Sequence, residues 1–192
     1  MLLVVGGGRL VASAGGRSVV AGSGYNRRMD LYQGTIRKRD RRAFLPQAIG
    51  AETLHRILQA GRMTPSSKNV EPNRFVVVDD AETRQQLAAL SPIAGWLADA
   101  PVIIAIVQTQ EHQFDAGRAA QNMMLAAYDE GIGSCPAHLP EERVAELLGI
   151  PGDLFPNRVI GFGAIDPARD RPPRAVARKR LPMEDLVHTN HW

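Results

Sequence analysis

From Met29 onward, apolar and polar positions recur regularly enough to mark out elements. Asp30 stands where its carboxylate can cap a short helix reaching about Arg37, and Phe44-Leu45-Pro46 leads away as an extended segment. Leu54, Ile57 and Leu58 form one apolar stripe, which predicts a helix over about 51–62. A polar loop over 64–72 carries proline near both ends, and the run Phe75-Val76-Val77-Val78 beyond it reads as a buried strand. A helix over about 81–90 and a second central strand over about 102–107 follow. Ala116, Ala119, Ala120, Met123, Met124 and Ala127 share one side of a long helix over about 115–130, which Gly131-Ile132-Gly133 stops before a third short strand. A short helix over about 141–148 ends at Gly149, with Pro151 just beyond. A fourth strand covers about 158–162, and the remainder reads as a proline- and arginine-rich tail. Helices separate most of the strands, so the pattern predicts an α+β domain with a covered central sheet over 29–192.

The first 28 residues differ from all that follows, being rich in Gly, Ala, Ser and Val with no sustained period, and they read as a loose extension. Gly6, Gly7 and Gly8 give only a faint dinucleotide fingerprint, because Val11 occupies the third glycine position and no acid follows at the required distance. The chain of 192 residues is long enough for one full core, and 44% hydrophobic with 22% charged residues is a globular composition. The single cysteine, Cys135, excludes an internal disulfide framework and a zinc cluster of cysteines. It reads as a small packed residue. No apolar run approaches the roughly 20 residues that span a bilayer. Nothing in the chain demands an oxidising compartment, so the expected location is cytoplasmic. Net charge is only +3 although the pI is near 9.4, which places the basic residues in local clusters.

Four segments carry candidate chemistry. In Lys38-Arg39-Asp40-Arg41-Arg42 a helix gives way to extended chain, and closely spaced cations there can hold a phosphate by charge-assisted hydrogen bonds. By itself such a run is ordinarily a solvated face. Thr64-Pro65-Ser66-Ser67-Lys68-Asn69 offers short donors and acceptors on a proline-stiffened turn. Gly131 to His138 combines glycines and small residues that let a flat ring approach the backbone. Arg178-Lys179-Arg180 is a second cationic group able to close on the same phosphate. His55 is expected on a solvent face, His188 and His191 lack a third ligand and read as frayed tail, and His138 is the histidine placed near a ligand.

Taken in this order, the four segments resemble the FMN-dependent nitroreductase superfamily over about residues 30–187. The resemblance implies a nitroreductase-like fold with a mostly antiparallel central sheet. It also implies an intertwined homodimer with FMN at the interface, NADH or NADPH as donor, and a nitroaromatic, quinone or flavin as acceptor in a ping-pong cycle. No nucleic acid and no membrane enter this reading. By the same resemblance, Lys38, Arg39 and Asp40 lie along the phosphate and ribityl chain, and Arg42 lies near flavin N1 and O2 as the catalytic group. Pro65, Ser66, Ser67 and Asn69 reach across the interface to the partner's flavin. Pro136, Ala137 and His138 back the ring and direct a backbone N–H at N5, while Arg178 and Arg180 clamp the phosphate. Asp115, Gln121 and Asn122 fall on the family's long dimer-core helix in a structural role.

The chain departs from the family at three places. Asp40 stands where many members carry serine, Glu71 and Asn73 replace the usual glutamine and aromatic residue of the loop, and only 108–114 separate the second strand from the long helix where larger relatives insert a lid. Asp40, Phe44-Leu45-Pro46 and the stretch from Arg180 to Val187 also resemble the 5,6-dimethylbenzimidazole synthase branch, in which reduced FMN is itself cleaved with oxygen. That branch and a non-catalytic flavin-binding dimer are the alternatives. A nucleic-acid-binding role for the basic tail is disfavoured, because aromatics make up only 5% of the chain and do not interleave with the arginines.

Overall fold

The computed structural model describes residues 30–171 and 180–192, and the expectations for residues 1–28 lie outside the described residues. Helix α1 (Leu31–Arg37) begins at Asp30, whose carboxylate accepts from the Tyr32 N–H at 3.0 Å. Helices α2 (Ala51–Arg62), α3 (Ala81–Ala89), α4 (Gln113–Asp129) and α5 (Glu141–Leu148) follow the predicted pattern. Gly149 ends α5 in the left-handed region at φ 62°, where glycine meets no steric penalty. Strands β1 (Asn73–Val78), β2 (Val102–Gln108), β3 (Ile132–Ala137) and β4 (Phe155–Ala164) make one sheet in the order β1-β2-β4-β3, antiparallel at every pairing.

All seven residues of β2 are buried because both faces of the sheet are covered. Val102, Ile104 and Ile106 point to one side, against Ile57 of α2, Met123 of α4 and Phe162 of β4. Ile103 and Ala105 point to the other, against Leu87 of α3, Leu97, Val144 of α5 and Phe44. A strand sandwiched in this way reads as an unbroken apolar run, without the alternation of a half-exposed strand. The alanine and methionine stripe of α4 is buried as its spacing predicts.

Several features were not predicted. Ser67–Asn69 and Gly95–Asp99 are short 3-10 turns, the latter drawn inward by the fully buried Leu97, and turns this short carry no readable period. A short helix, α6 (Met183–Leu186), lies within the segment read as tail. The chain after α1 also runs along the outer edge of the sheet. The Arg41 N–H donates to Ser134 O of β3 at 3.0 Å, Phe44 bridges Ile165, and the Leu45 N–H donates to Ala164 O at 2.8 Å. Gly163 permits this approach, since a Cβ there would lie 2.6 Å from Pro101 Cδ and 3.0 Å from Phe44 Cβ.

Candidate functional site

The basic segment Lys38–Arg42 is held against the free edge of β3 by the Arg41 N–H bond to Ser134 and by the anchoring of Phe44, which is fully buried. The Lys38 side chain is only 7% exposed, with Nζ 2.5 Å from Asp40 Oδ1 and 3.2 Å from Met124 Sδ of α4. Asp40, the unexpected carboxylate, therefore neutralises a buried ammonium that would otherwise lack a counter-charge. Arg39 lies back over the end of α1, where its Nη1 donates to Ile36 O and Lys38 O at 2.7 and 2.8 Å. Arg41 pairs with Asp170 at 2.5 Å. Arg42 is exposed and stacks its guanidinium over Trp96, 5.9 Å from the ring centroid.

The adjoining strand β3 supplies the second part. The Ser134 hydroxyl is buried without a hydrogen-bond partner, an arrangement that costs about 1–3 kcal/mol and marks a place where a polar group is wanted. Cys135 is fully buried, and burial pushes its thiol pKa up, with Asp40 adding to the shift and Arg42 opposing it. It is a packed thiol, as the sequence suggested, and not an activated nucleophile. Pro136 and Ala137 are half-buried at the end of β3, and the exposed His138 accepts at Nδ1 from Arg158 Nη1 at 2.8 Å. A guanidinium only donates, so this bond keeps the Nδ1 lone pair engaged and leaves the neutral ring's proton on Nε2.

The loop before β1 is the third part. Lys68, Asn69 and Glu71 all adopt positive φ (50°, 55° and 48°), a left-handed conformation that costs roughly 1–2 kcal/mol for an ordinary side chain. Ser66 Oγ accepts from the Glu71 N–H at 2.8 Å and closes the turn. The Ser67 N–H donates to Oδ2 of Asp115, a residue 2% exposed in the first turn of α4. At the other end of the loop, Asn122 donates to Thr64 Oγ1 at 2.9 Å. Gln108, fully buried, donates to Asn73 Oδ1 and His112 O at 2.9 Å and fixes the start of β1 to the end of β2. A cleft of about 420 Å³ opens between α2 and β1, with Ser66, Glu71, His55 and Arg62 among its walls. His55 is exposed on α2, as predicted.

The basic segment and the β3 end are thus together, whereas the loop is not with them. Lys38 meets α4 at Met124 and Ser67 meets it at Asp115, nine residues away, or about 13 Å along the helix. The basic segment borders β3 and the loop leads into β1, at opposite edges of the sheet. Arg180 is exposed, and Arg178 lies outside the described residues. Sequence reasoning missed Trp96 beneath Arg42, the Ser134 hydroxyl, and Arg158 beside His138, because each meets its neighbour only through tertiary packing or strand register. Asp115 and Asn122 did carry a signal, a spacing of seven that places both on one face of α4.

A model of the Nitroreductase family matches residues 36–93 and 91–164, more than half of the chain and all three parts just described. The chain belongs to the nitroreductase family. A family member from Methanothermobacter thermautotrophicus named "Putative NADH dehydrogenase/NAD(P)H nitroreductase" is 25% identical over 177 residues, covering 86% of this chain and 89% of its own. The FMN reductase (NAD(P)H) of Bacillus subtilis is 26% identical over 178 residues, or 77% of this chain and 68% of its own. Among solved structures, an FMN-dependent nitroreductase from Clostridium difficile R20291 superimposes with a TM-score of 0.73 at 25% identity, covering 84% of this nitroreductase and 99% of that chain. The expected fold is therefore correct. No described helix of this family member is long and apolar enough to cross a membrane.

Proposed function

We propose that this nitroreductase is an FMN-dependent NAD(P)H oxidoreductase that works as a homodimer and reduces a small acceptor, a nitroaromatic, quinone or flavin, in a ping-pong cycle. The carrying observation is the separation within one chain: the cationic segment with the β3 end, and the donor-rich loop, sit about 13 Å apart along α4. A loop supplied by a second copy would bring both parts onto one ligand, each site being built from both chains of an isologous dimer. Exposed Leu31, Tyr32 and Phe114, at 75, 67 and 78%, give such a copy apolar surface to cover.

The donor set fits a flavin monophosphate. Lys38, though paired with Asp40, and Arg39 bring cationic charge for the phosphate, and the adjoining strand β3 carries the buried, unpartnered Ser134 hydroxyl. Arg42 puts a fixed positive charge at the edge of the site, where it favours a developing negative charge. Pro136, Ala137 and His138 line the β3 end, while Ser66, Ser67 and Asn69 contribute from the partner, with Pro65 stiffening their loop. The exposed Arg180 is available to close on the phosphate. Bound FMN supplies hydride acceptance from NAD(P)H and reduction of the acceptor. The test is the absorption spectrum of freshly purified protein, followed under nitrogen as NADH or NADPH is added. A flavin spectrum that bleaches, with steady NAD(P)H oxidation once an acceptor is present, is the expected result. A colourless protein that fails to take up micromolar FMN overturns the proposal, and a bound flavin that no donor bleaches leaves a binding protein instead.

A further inference from the structure

The loop over 64–71 holds three non-glycine residues in the left-handed region, and such a conformation persists only where its surroundings enforce it. The loop's own Ser66–Glu71 bond closes the turn, and α4 supplies the enforcement from outside it. Asp115 accepts the Ser67 N–H at 3.1 Å through Oδ2, and Asn122 donates to Thr64 Oγ1 at 2.9 Å. Seven residues apart, the two side chains sit on one face of the helix and grip the loop at two points. Asp115 is 2% exposed, and its counter-charge is the Arg118 guanidinium at 3.7 Å, itself partly exposed. Its backbone carbonyl takes a further bond from Asn73 Nδ2 at 3.3 Å, so the same turn of α4 also ties down the start of β1. A buried carboxylate is costly unless hydrogen-bonded, and the principal bond this one makes beyond its own helix is to the loop.

We propose that Asp115 is a positioning residue of the flavin site, which with Asn122 clamps the strained loop so that Ser66 to Asn69 meet the partner's cofactor already in their bound shape. The inference rests on the shared-site reading above. It explains why the loop keeps a conformation its own sequence disfavours: the ordering is complete before the ligand arrives, so binding does not have to supply it.

Two readouts separate the clamp from that reading. Trypsin cleavage after Lys68 in the full-length protein reports loop opening without any flavin, and FMN titration reports the site. Asp115→Ala is expected to speed cleavage after Lys68 and weaken FMN binding, each about 10-fold or more, as loss of a hydrogen bond to a charged group implies. Asp115→Asn keeps an acceptor for the Ser67 N–H and is expected to recover most of both losses. Asn122→Ala, which frees only the Thr64 end, moves both readouts in the same direction and serves if Asp115→Ala does not fold. Cleavage after Lys68 at the wild-type rate in Asp115→Ala or Asn122→Ala overturns the clamp. Faster cleavage with unchanged FMN affinity overturns the link between loop and site. If the wild type binds no FMN yet Asp115→Ala still opens the loop, the clamp stands and the cofactor reading falls.

Discussion

Gly163→Ala tests whether the basic segment is positioned by the core behind it. The added methyl would lie 2.6 Å from Pro101 Cδ and 3.0 Å from both Phe44 Cβ and Cδ1. Carbon atoms rest at about 3.5 Å or more, so the proline must give by about 0.9 Å and the phenyl by about 0.5 Å, or the methyl must move by as much. Neither is free to move: Pro101 is a ring leading directly into β2, and Phe44 is fully buried against Trp96 with its carbonyl held by Arg169 Nη2 at 2.5 Å. Overpacking of this kind costs about 1–3 kcal/mol, and two rigid neighbours place the loss at the upper end, about 2–3 kcal/mol. For a domain of this size that is a fall of roughly 5–10 °C in Tm. Urea unfolding should show a lower midpoint with an unchanged slope. Because Phe44 is two residues from Arg42, FMN affinity should fall together with stability. A variant within about 0.5 kcal/mol of wild type would refute the packing argument, and lost stability with intact FMN binding would refute the link to the site.

Arg42→Ala should slow flavin reduction by about 2–4 kcal/mol of barrier. The lost stacking on Trp96 should lower stability by only about 0.5–1 kcal/mol; stopped-flow reduction at saturating FMN decides, and an unchanged rate with lost binding assigns Arg42 to the phosphate instead. Asp40→Asn should tighten FMN binding about five-fold, because a nearby negative charge worth about 1 kcal/mol is removed and Lys38 is released to the phosphate. The same change should lower Tm, and weaker binding on titration would mean that Asp40 contacts the ribityl chain. The Arg169 Nε–H bond at 2.6 Å holds the Asp166 carboxyl below its usual pKa of 3.8, so its stabilisation is complete above that pH and is lost as pH falls through the lowered value. Asp166→Asn should therefore flatten the fall of stability as pH drops below the usual carboxylate range, and an acid-unfolding curve as steep as wild type would contradict this. FMN should shift sedimentation toward the dimer, since a ligand favours the state that binds it better, and the double change Ser67→Ala with Asn69→Ala should abolish the shift. A tight FMN complex sedimenting as a monomer would defeat the shared site.

The helices and strands were legible because their signals are local. The α2 stripe of Leu54, Ile57 and Leu58, the Asp30 cap and the Gly149 stop each depend on residues a few positions apart, and each appears as the pattern predicts. Strand limits were less legible: β4 runs from Phe155, three residues before its predicted start at Arg158, because pairing with Gln108 and Val107 orders a segment that its own composition does not mark. The residues of the site were legible by type, and their arrangement was not. The order of the motifs pointed to a flavin, yet nothing local shows that Lys38 is buried against Met124 of α4, or that the Arg41 N–H is taken up by Ser134 of β3.

By itself, then, the sequence determined the alternation of helices and strands, which face of α4 enters the core, and where cationic and hydroxyl groups cluster. These follow from periods of 3.6 and 2 and from backbone preferences that act within a few residues. The strand order β1-β2-β4-β3, the docking of the 41–45 segment on the sheet edge, and the distance between the two parts of the site were decided only by tertiary structure. The physical reason is that those features come from contacts between residues far apart in the chain. Arg41 meets Ser134, Ser67 meets Asp115 and Arg158 meets His138, each over a separation that no local signal spans.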